Sequence, residues 1–399
     1  MSPSNQIVAA AEEAAPKKDG VARKRVAVAC MAVASVFVLG AVIVLPSGMF
    51  TEIFGSISLA KIVEQITTNA RDASYVLSGS GAAGMYSATV SRYFAAFVAG
   101  GALGVVGATF QGVFKNPLAS PSTLGVISGG LFGAMAYYLF LRSDVLDVAT
   151  ISFSAIHQYY EGLSSLEYLW VVYGPSICAL LGGLAVAGVA LFVSRTVGSG
   201  ALGNVMLVVV GQVFTLVLGT FTSTIRYYFE ATGQVQRVTL VQEAQGTPFD
   251  LFLGLEDFAF FGIPTLVVVV VLIVLRNRIT LLTLHDEEAQ TMGVNPSRFR
   301  ALVIVLCAAA TGLVVGCVGP IAFVGFVCPH VARLLVGHDL RYLLPMSLFI
   351  GAIFLMVVLF VGTQFDIDMD MGLNLVSTII GTVVFLLVAF RTKGGSHVW

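Results

Sequence analysis

Apolar residues dominate this chain in long blocks separated by short polar breaks, and the lengths of those blocks carry the first structural information. Ten stretches are long or apolar enough to be read as spans: 26–46, 90–113, 123–141, 169–194, 202–221, 258–275, 299–317, 321–336, 343–361 and 373–390. Crossing a bilayer takes about 20 apolar residues in a helix, and several of the blocks reach that length. The eighth block is short and Pro329 interrupts it. It is tolerable in lipid only where neighbouring helices cover the backbone groups that the proline frees. The pattern predicts an all-α polytopic membrane protein of about ten transmembrane helices. A cytoplasmic N-terminal tail is expected over 1–25, one ten-helix domain over 26–393, and a C-terminal tail over 394–399. The first block is too long for the apolar core of a signal peptide and is read as a retained span.

Composition agrees. Hydrophobic residues make up 57% of the 399 and charged residues 11%, against about 25% charged in an average soluble domain. The mean hydropathy is +0.92. The five cysteines all lie in apolar stretches without a CxxC pair, so they read as small buried hydrophobes rather than a disulfide framework or a metal site.

Charge orients the spans. With the N-terminus inside, fifteen lysines and arginines fall on the inner segments and six on the outer ones. That asymmetry follows the positive-inside rule and puts both termini in the cytoplasm. Acidic residues run the other way, fifteen outside against seven inside, and three of the seven stand together: Asp286, Glu287 and Glu288 lie between Arg276 and Arg278 on one side and Arg298 and Arg300 on the other. The stretch "TLHDEEAQTMGVNP" is predicted to hold a short helix inside an inner loop at 279–298. Its three carboxylates suit the positive end of a helix dipole, Gly293 suits a C-cap, and Pro296 stops continuation. About two turns of helix are unstable alone, so packing must hold it. Ala289 and Met292 are its apolar contacts.

Other patterns suggest packing or passage. Gly100 and Gly104, Gly125, Gly129 and Gly133, and Gly312 and Gly316 recur every fourth residue, a spacing that lets helix backbones approach closely in lipid. Gln212, Thr215, Gly219 and Thr222 form one polar or small face, and Asn374, Thr378 and Gly381 another. Such faces line a pathway or pack on another helix. In "QGVFKNPLASPSTLGV", Pro117 and Pro121 stop the helix, Asn116 forms a turn, and Ser122 or Thr123 is expected to cap the next span. His330 follows Pro329 and is read either as a pathway group or as a hydrogen-bonded structural residue. No GxxxxGK[ST], HExxH or GxSxG occurs. The chain therefore has no P-loop of its own, no catalytic residues are assigned, and no metal ligands are assigned.

Three motifs then resemble a known family. They are "GATFQGVFKNPLASPSTLGVISGG", with Gln111, Asn116, Pro117, Pro121 and Gly125; "LHDEEAQTMGVN"; and "GPIAFVGFVCPHVARLLVGHDLRYLLP", with Pro329, His330 and Arg333. With "GTVVFLLVAFR" they cover about residues 85 to 393. The chain resembles the FecCD-type permease subunits of ABC importers for ferric siderophores, haem and cobalamin. The resemblance implies a homodimer, or a heterodimer with a paralogous permease, with a pathway at the dimer axis. It implies two cytoplasmic ABC ATPase subunits that receive the coupling helix at Asp286–Gly293 and use ATP and Mg. An extracytoplasmic binding protein would deliver the substrate. The lipid bilayer is the remaining partner, and no nucleic acid is implied. This chain itself would bind no cofactor. The expected cargo is a ferric siderophore, with haem or cobalamin as the alternative and an ATP-independent transporter or channel as the reading from another class. The motifs also depart from the family. Only Arg92 remains of two arginines usual before the second span, with Thr89 in place of the other. Leu359 and Thr363 stand where an aspartate and an arginine are usual, and His285 and Val383 replace a glycine and a proline. Asp366, Asp368 and Asp370 follow instead, so docking of the binding protein is expected to involve Arg92 and these three acids.

Overall fold

The computed structural model describes residues 18–44, 82–141, 165–197, 201–232, 261–321, 323–364 and 369–392. Twelve α-helices account for nearly all of them: α1 Lys18–Val44, α2 Ala82–Val113, α3 Val126–Ala136, α4 Ser165–Val197, α5 Ala201–Ala231, α6 Ile263–Val274, α7 Arg276–Leu281, α8 Asp286–Thr291, α9 Pro296–Val318, α10 Val324–Val336, α11 Leu340–Gln364 and α12 Met369–Thr392. A 3₁₀ turn, Ser122–Leu124, leads into α3, and a π-turn, Tyr137–Leu141, extends it. No strand occurs among the described residues. A helix occupies each of the ten predicted apolar blocks, and the two short helices, α7 and α8, lie in the loop between the sixth and seventh. Five segments are long and apolar enough to cross a membrane: Arg92–Val113, Tyr173–Val197, Val205–Ala231, Pro296–Gly316 and Leu340–Gly362.

The helix ends differ from the predicted ones in an informative way. The fifth span, predicted to end at 221, continues to Ala231. Hydropathy falls after Phe221, but the backbone keeps its helix. Thr222 and Thr224 donate to the carbonyls four residues back, and Arg226 pairs with Glu230 at 3.0 Å, one turn on. The start of α3 also differs. Neither Ser122 nor Thr123 caps it; the residue before the helix is Gly125, in a left-handed conformation with φ 71°.

Helix α2 sits at the centre. Its crossing segment is 89% buried, against 17% for that of α5. The cause is its sequence, in which small residues fall on several faces. In lipid, apolar side chains gain little by leaving acyl chains for another helix, so association depends on close backbone packing. Side-chain carbons at Gly100 and Gly104 would land on the Gly351 and Ser347 carbonyl oxygens of α11, and one at Gly107 would land on the Gly325 carbonyl of α10. Gly325 is four residues before Pro329, so its carbonyl is the one the proline deprives of a helical partner; it lies packed against α2. A second seam joins α3 to α4, where Gly129 and Gly133 face Gly182 and Cys178. Gly312 and Gly316 of α9 pack on Leu180 and Ser176 of the same α4, and the Ser176 hydroxyl donates to the Gly316 carbonyl.

Two glycine substitutions test this packing. Gly104→Ala forces a carbon onto the Ser347 carbonyl and should cost about 1–3 kcal/mol, as overpacking does. Gly219 of α5 has nothing within 4 Å of where a Cβ would be, so Gly219→Ala should leave the melting temperature unchanged or slightly raised. Thermal unfolding of the purified chain in detergent, followed by loss of the monodisperse peak, distinguishes the two.

Candidate functional site

The joint between α6 and α9 is built almost wholly from local rules. His285 is extended and leads into α8, whose first turn holds Asp286, Glu287 and Glu288. No side chain caps that end, so the three carboxylates supply the negative charge that the dipole favours there. The other end closes in a Schellman motif. Gly293, with φ 82°, donates to the Gln290 carbonyl at 2.9 Å, and Val294 donates to that of Ala289 at 3.2 Å. The next residue, Asn295, already caps α9 by accepting from the Arg298 N–H at 3.2 Å, with Pro296 at the first helical position.

Tertiary contacts decide what this helix presents. Ala289 is buried, whereas Glu287, Glu288 and Met292 are exposed. Asp286 is engaged inside the chain: its carboxylate accepts from the Arg300 guanidinium of α9 at 2.9 Å. The Lys115 ammonium, from the turn after α2, donates to the Leu284 carbonyl at 2.6 Å. Two of the three predicted acids therefore face outwards, and the first tethers the helix. Sequence reading missed Lys115 as a site residue and noted Arg300 only as a flanking charge, because a single cation in a loop has no periodic or spacing signal.

The α2–α3 turn is the second part of the site. Lys115 has φ 51°, a conformation that costs a non-glycine residue of order 1 kcal/mol. The Asn116 side chain accepts from the Leu118 N–H at 2.9 Å. Pro117 follows Asn116, and Pro121 packs against Gly325 of α10. Gln111 donates to the Phe326 carbonyl at 3.3 Å. His330 is hydrogen bonded through Nδ1 to the same carbonyl at 2.7 Å, and its ring stands edge-on to Phe385 of α12. Arg333 is half-buried one turn further along α10.

The two polar faces differ. On α5, Gln212 donates to the Thr123 carbonyl at 3.4 Å. Thr215 donates to the Gly211 carbonyl at 3.0 Å, Thr222 is buried, and Gly219 is exposed. On α12, Asn374 is exposed and Thr378 donates back to its carbonyl at 2.7 Å. Gly381 lies against Phe323, where a Cβ would meet the Phe323 Cβ at 2.6 Å. Arg92 is half-buried on α2. Asp366 and Asp368 lie outside the described residues, as do most of the long segments between spans, and the side chain of Asp370 is likewise not described.

A bundle of long apolar helices, with a short helix pinned from within the chain by Arg300 and Lys115, defines an integral membrane protein. The profile of the FecCD transport family matches residues 37–391, and the chain belongs to that family. It is similar to the iron-uptake system permease protein FeuB of Bacillus subtilis (strain 168), at 27% identity over 314 residues covering 78% of this chain and 83% of the relative. It is also similar to the molybdate import system permease protein MolB of Haemophilus influenzae (strain ATCC 51907 / DSM 11121 / KW20 / Rd), at 24% identity over 311 residues covering 78% and 82%. Among solved structures, an ABC transporter assigned to the metal-chelate type, in an inward-facing conformation, superposes with a TM-score of 0.67 at 23% identity, over 92% of this chain and 99% of the other. The chain is a multi-pass protein of the prokaryotic cytoplasmic membrane.

The internal tether has a measurable strength. The Arg300 side chain is 12% exposed and that of Asp286 40%, so the pair is neither fully solvated nor dry. A double-mutant cycle on thermal unfolding with Asp286→Ala and Arg300→Ala should give a coupling of about 1 kcal/mol. The same cycle run with Glu288→Ala and Arg300→Ala should give none.

Proposed function

We propose that this chain is the membrane-spanning subunit of an ATP-driven importer and that its cargo is an iron chelate of the ferric siderophore type. The observation that carries the reading is α8: a helix too short to stand alone, held by Arg300 and Lys115, with Glu287, Glu288 and Met292 exposed on its outer side. Family membership gives such a helix a partner to meet. Two separate ABC ATPase subunits would bind ATP and Mg, and the chain itself would bind no cofactor. Both termini lie on the ATPase side in this reading, and an extracytoplasmic protein delivers the cargo.

The pathway runs between two permease copies, identical or paralogous. The exposed apolar surface of α5, with Val213, Leu216 and Val217, is the surface such a partner would cover. The faces Gln212–Thr215–Gly219–Thr222 and Asn374–Thr378–Gly381 would border the passage. ATP closes the ATPase dimer, α8 is displaced, and α5 and α12 re-pack. A shift of this kind needs contacts that differ in strength between the two states. Docking of the binding protein would use Arg92 together with Asp366, Asp368 and Asp370, the three acids meeting basic residues on the partner.

Iron is favoured because relatives such as FeuB carry iron uptake in their names. Haem and cobalamin are the alternatives within the class, and the likeness to MolB adds molybdate to the ligands worth testing.

Uptake into proteoliposomes containing the complete importer tests the reading. Ferric hydroxamates and catecholates should enter only with internal ATP, whereas haem, cobalamin and molybdate should not. ATP-independent entry through the purified chain alone would refute the motor-driven assignment. Replacing Asp286, Glu287 and Glu288 together by alanine should abolish ATPase co-purification and uptake. Reversing the charge of Asp366, Asp368 and Asp370 should weaken binding-protein docking at low salt, where surface charges act furthest; unchanged affinity removes that docking site.

A further inference from the structure

The left-handed position at the end of α2 holds the wrong residue for stability. Lys115 occupies it with φ 51°, and the backbone around it closes as a Schellman motif. Its own N–H donates to the Gly112 carbonyl at 3.3 Å, and that of Asn116 donates to the Gln111 carbonyl at 3.2 Å. Glycine is the residue such a position favours, and the chain follows that rule at Gly293, with φ 82°. A side chain kept in a strained conformation points to work done by that side chain. Here the work is visible: the ammonium reaches the Leu284 carbonyl at 2.6 Å, two residues before α8 begins at Asp286.

The other end of the same turn is gripped by α5. Gln212 donates to the Thr123 carbonyl. Gly211 lies on the backbone of Leu124, where a Cβ would meet the Leu124 Cα at 2.5 Å. Gly125 lies in turn against the Gly211 carbonyl. The turn thus touches the segment that leads into α8 through one ammonium and α5 through backbone contact.

We propose that Lys115 is a positioning residue that passes the displacement of α8 to α5. The inference rests on the importer reading above and adds the route within this chain. It also explains why α8 has two tethers. Arg300 holds it to α9, so that removing Lys115 leaves the helix in place and its outer face intact, while the connection to the α5 turn is cut.

The test uses the full complex in lipid, with ATP and vanadate as the probe. Spin labels are placed in two pairs on this chain, with the native cysteines replaced: Gln290 on α8 with Val357 on α11, and Tyr227 on α5 with Val357. In the parent both distances should change on trapping. In Lys115→Gly the ATPase should still co-purify, the melting temperature should equal or exceed that of the parent, and the Gln290–Val357 change should persist while the Tyr227–Val357 change is lost. Lys115→Met keeps the backbone strain without the charge and should lose the same change. Lys115→Arg should restore it. The proposal is overturned if α5 moves normally in Lys115→Gly and Lys115→Met. It is equally overturned if both variants lose the ATPase, because Lys115 would then be a docking contact. A parent complex in which neither distance responds to ATP removes the importer reading, and this inference with it; a parent that responds together with variants that also respond removes the inference alone.

Discussion

Close backbone approach at glycine is the constraint on which this structure rests. In a soluble domain, burial of apolar surface would select the packing, but an apolar helix gains little by exchanging lipid for another apolar helix. What remains is fit. Gly100, Gly104 and Gly107 place α2 directly on the backbones of α11 and α10, and Gly129 and Gly133 do the same for α3 on α4. Many weak dispersion contacts are then made at short range. The same contacts settle a problem set by Pro329, because the carbonyl it leaves without a helical partner is shielded by the α2 backbone.

Around this rigid centre lie helices held more lightly, and α5 is the clearest case. Its threonines at 215, 220, 222 and 224 each donate to the carbonyl four residues earlier. A polar face satisfied in this way costs little whether it meets lipid, water or protein. It meets the rest of the chain along α4, where the Ser194 hydroxyl donates to the Gly203 carbonyl at 2.6 Å, at the 122–125 turn through Gly211 and Gln212, and at α3, where Ile225 and Phe229 pack with Met135.

The joint at α8 joins these two regimes. Six residues of helix make too few internal hydrogen bonds to outweigh their ordering, so the segment takes its position from its tethers. Both tethers are charge-assisted hydrogen bonds, the stronger kind. They lie outside the apolar centre, where a cation and a carboxylate or carbonyl meet without the large desolvation cost of the interior. The acid of the first turn therefore divides: Asp286 fixes the helix, and Glu287 and Glu288 remain available to a partner.

Sequence alone determined the membrane class, the ten apolar blocks, the position of the short helix with its glycine end, and the family, because each depends on local composition, periodicity or a contiguous motif. The stop at Gly293 was legible for the same reason: it is satisfied by neighbours within a few residues. Tertiary structure alone decided that Gly381 is filled by Phe323 and that Lys115 and Arg300 belong to the site. Those outcomes depend on atoms brought together from distant parts of the chain, as the 169-residue separation of Lys115 and Leu284 illustrates, and no local pattern encodes a contact of that kind.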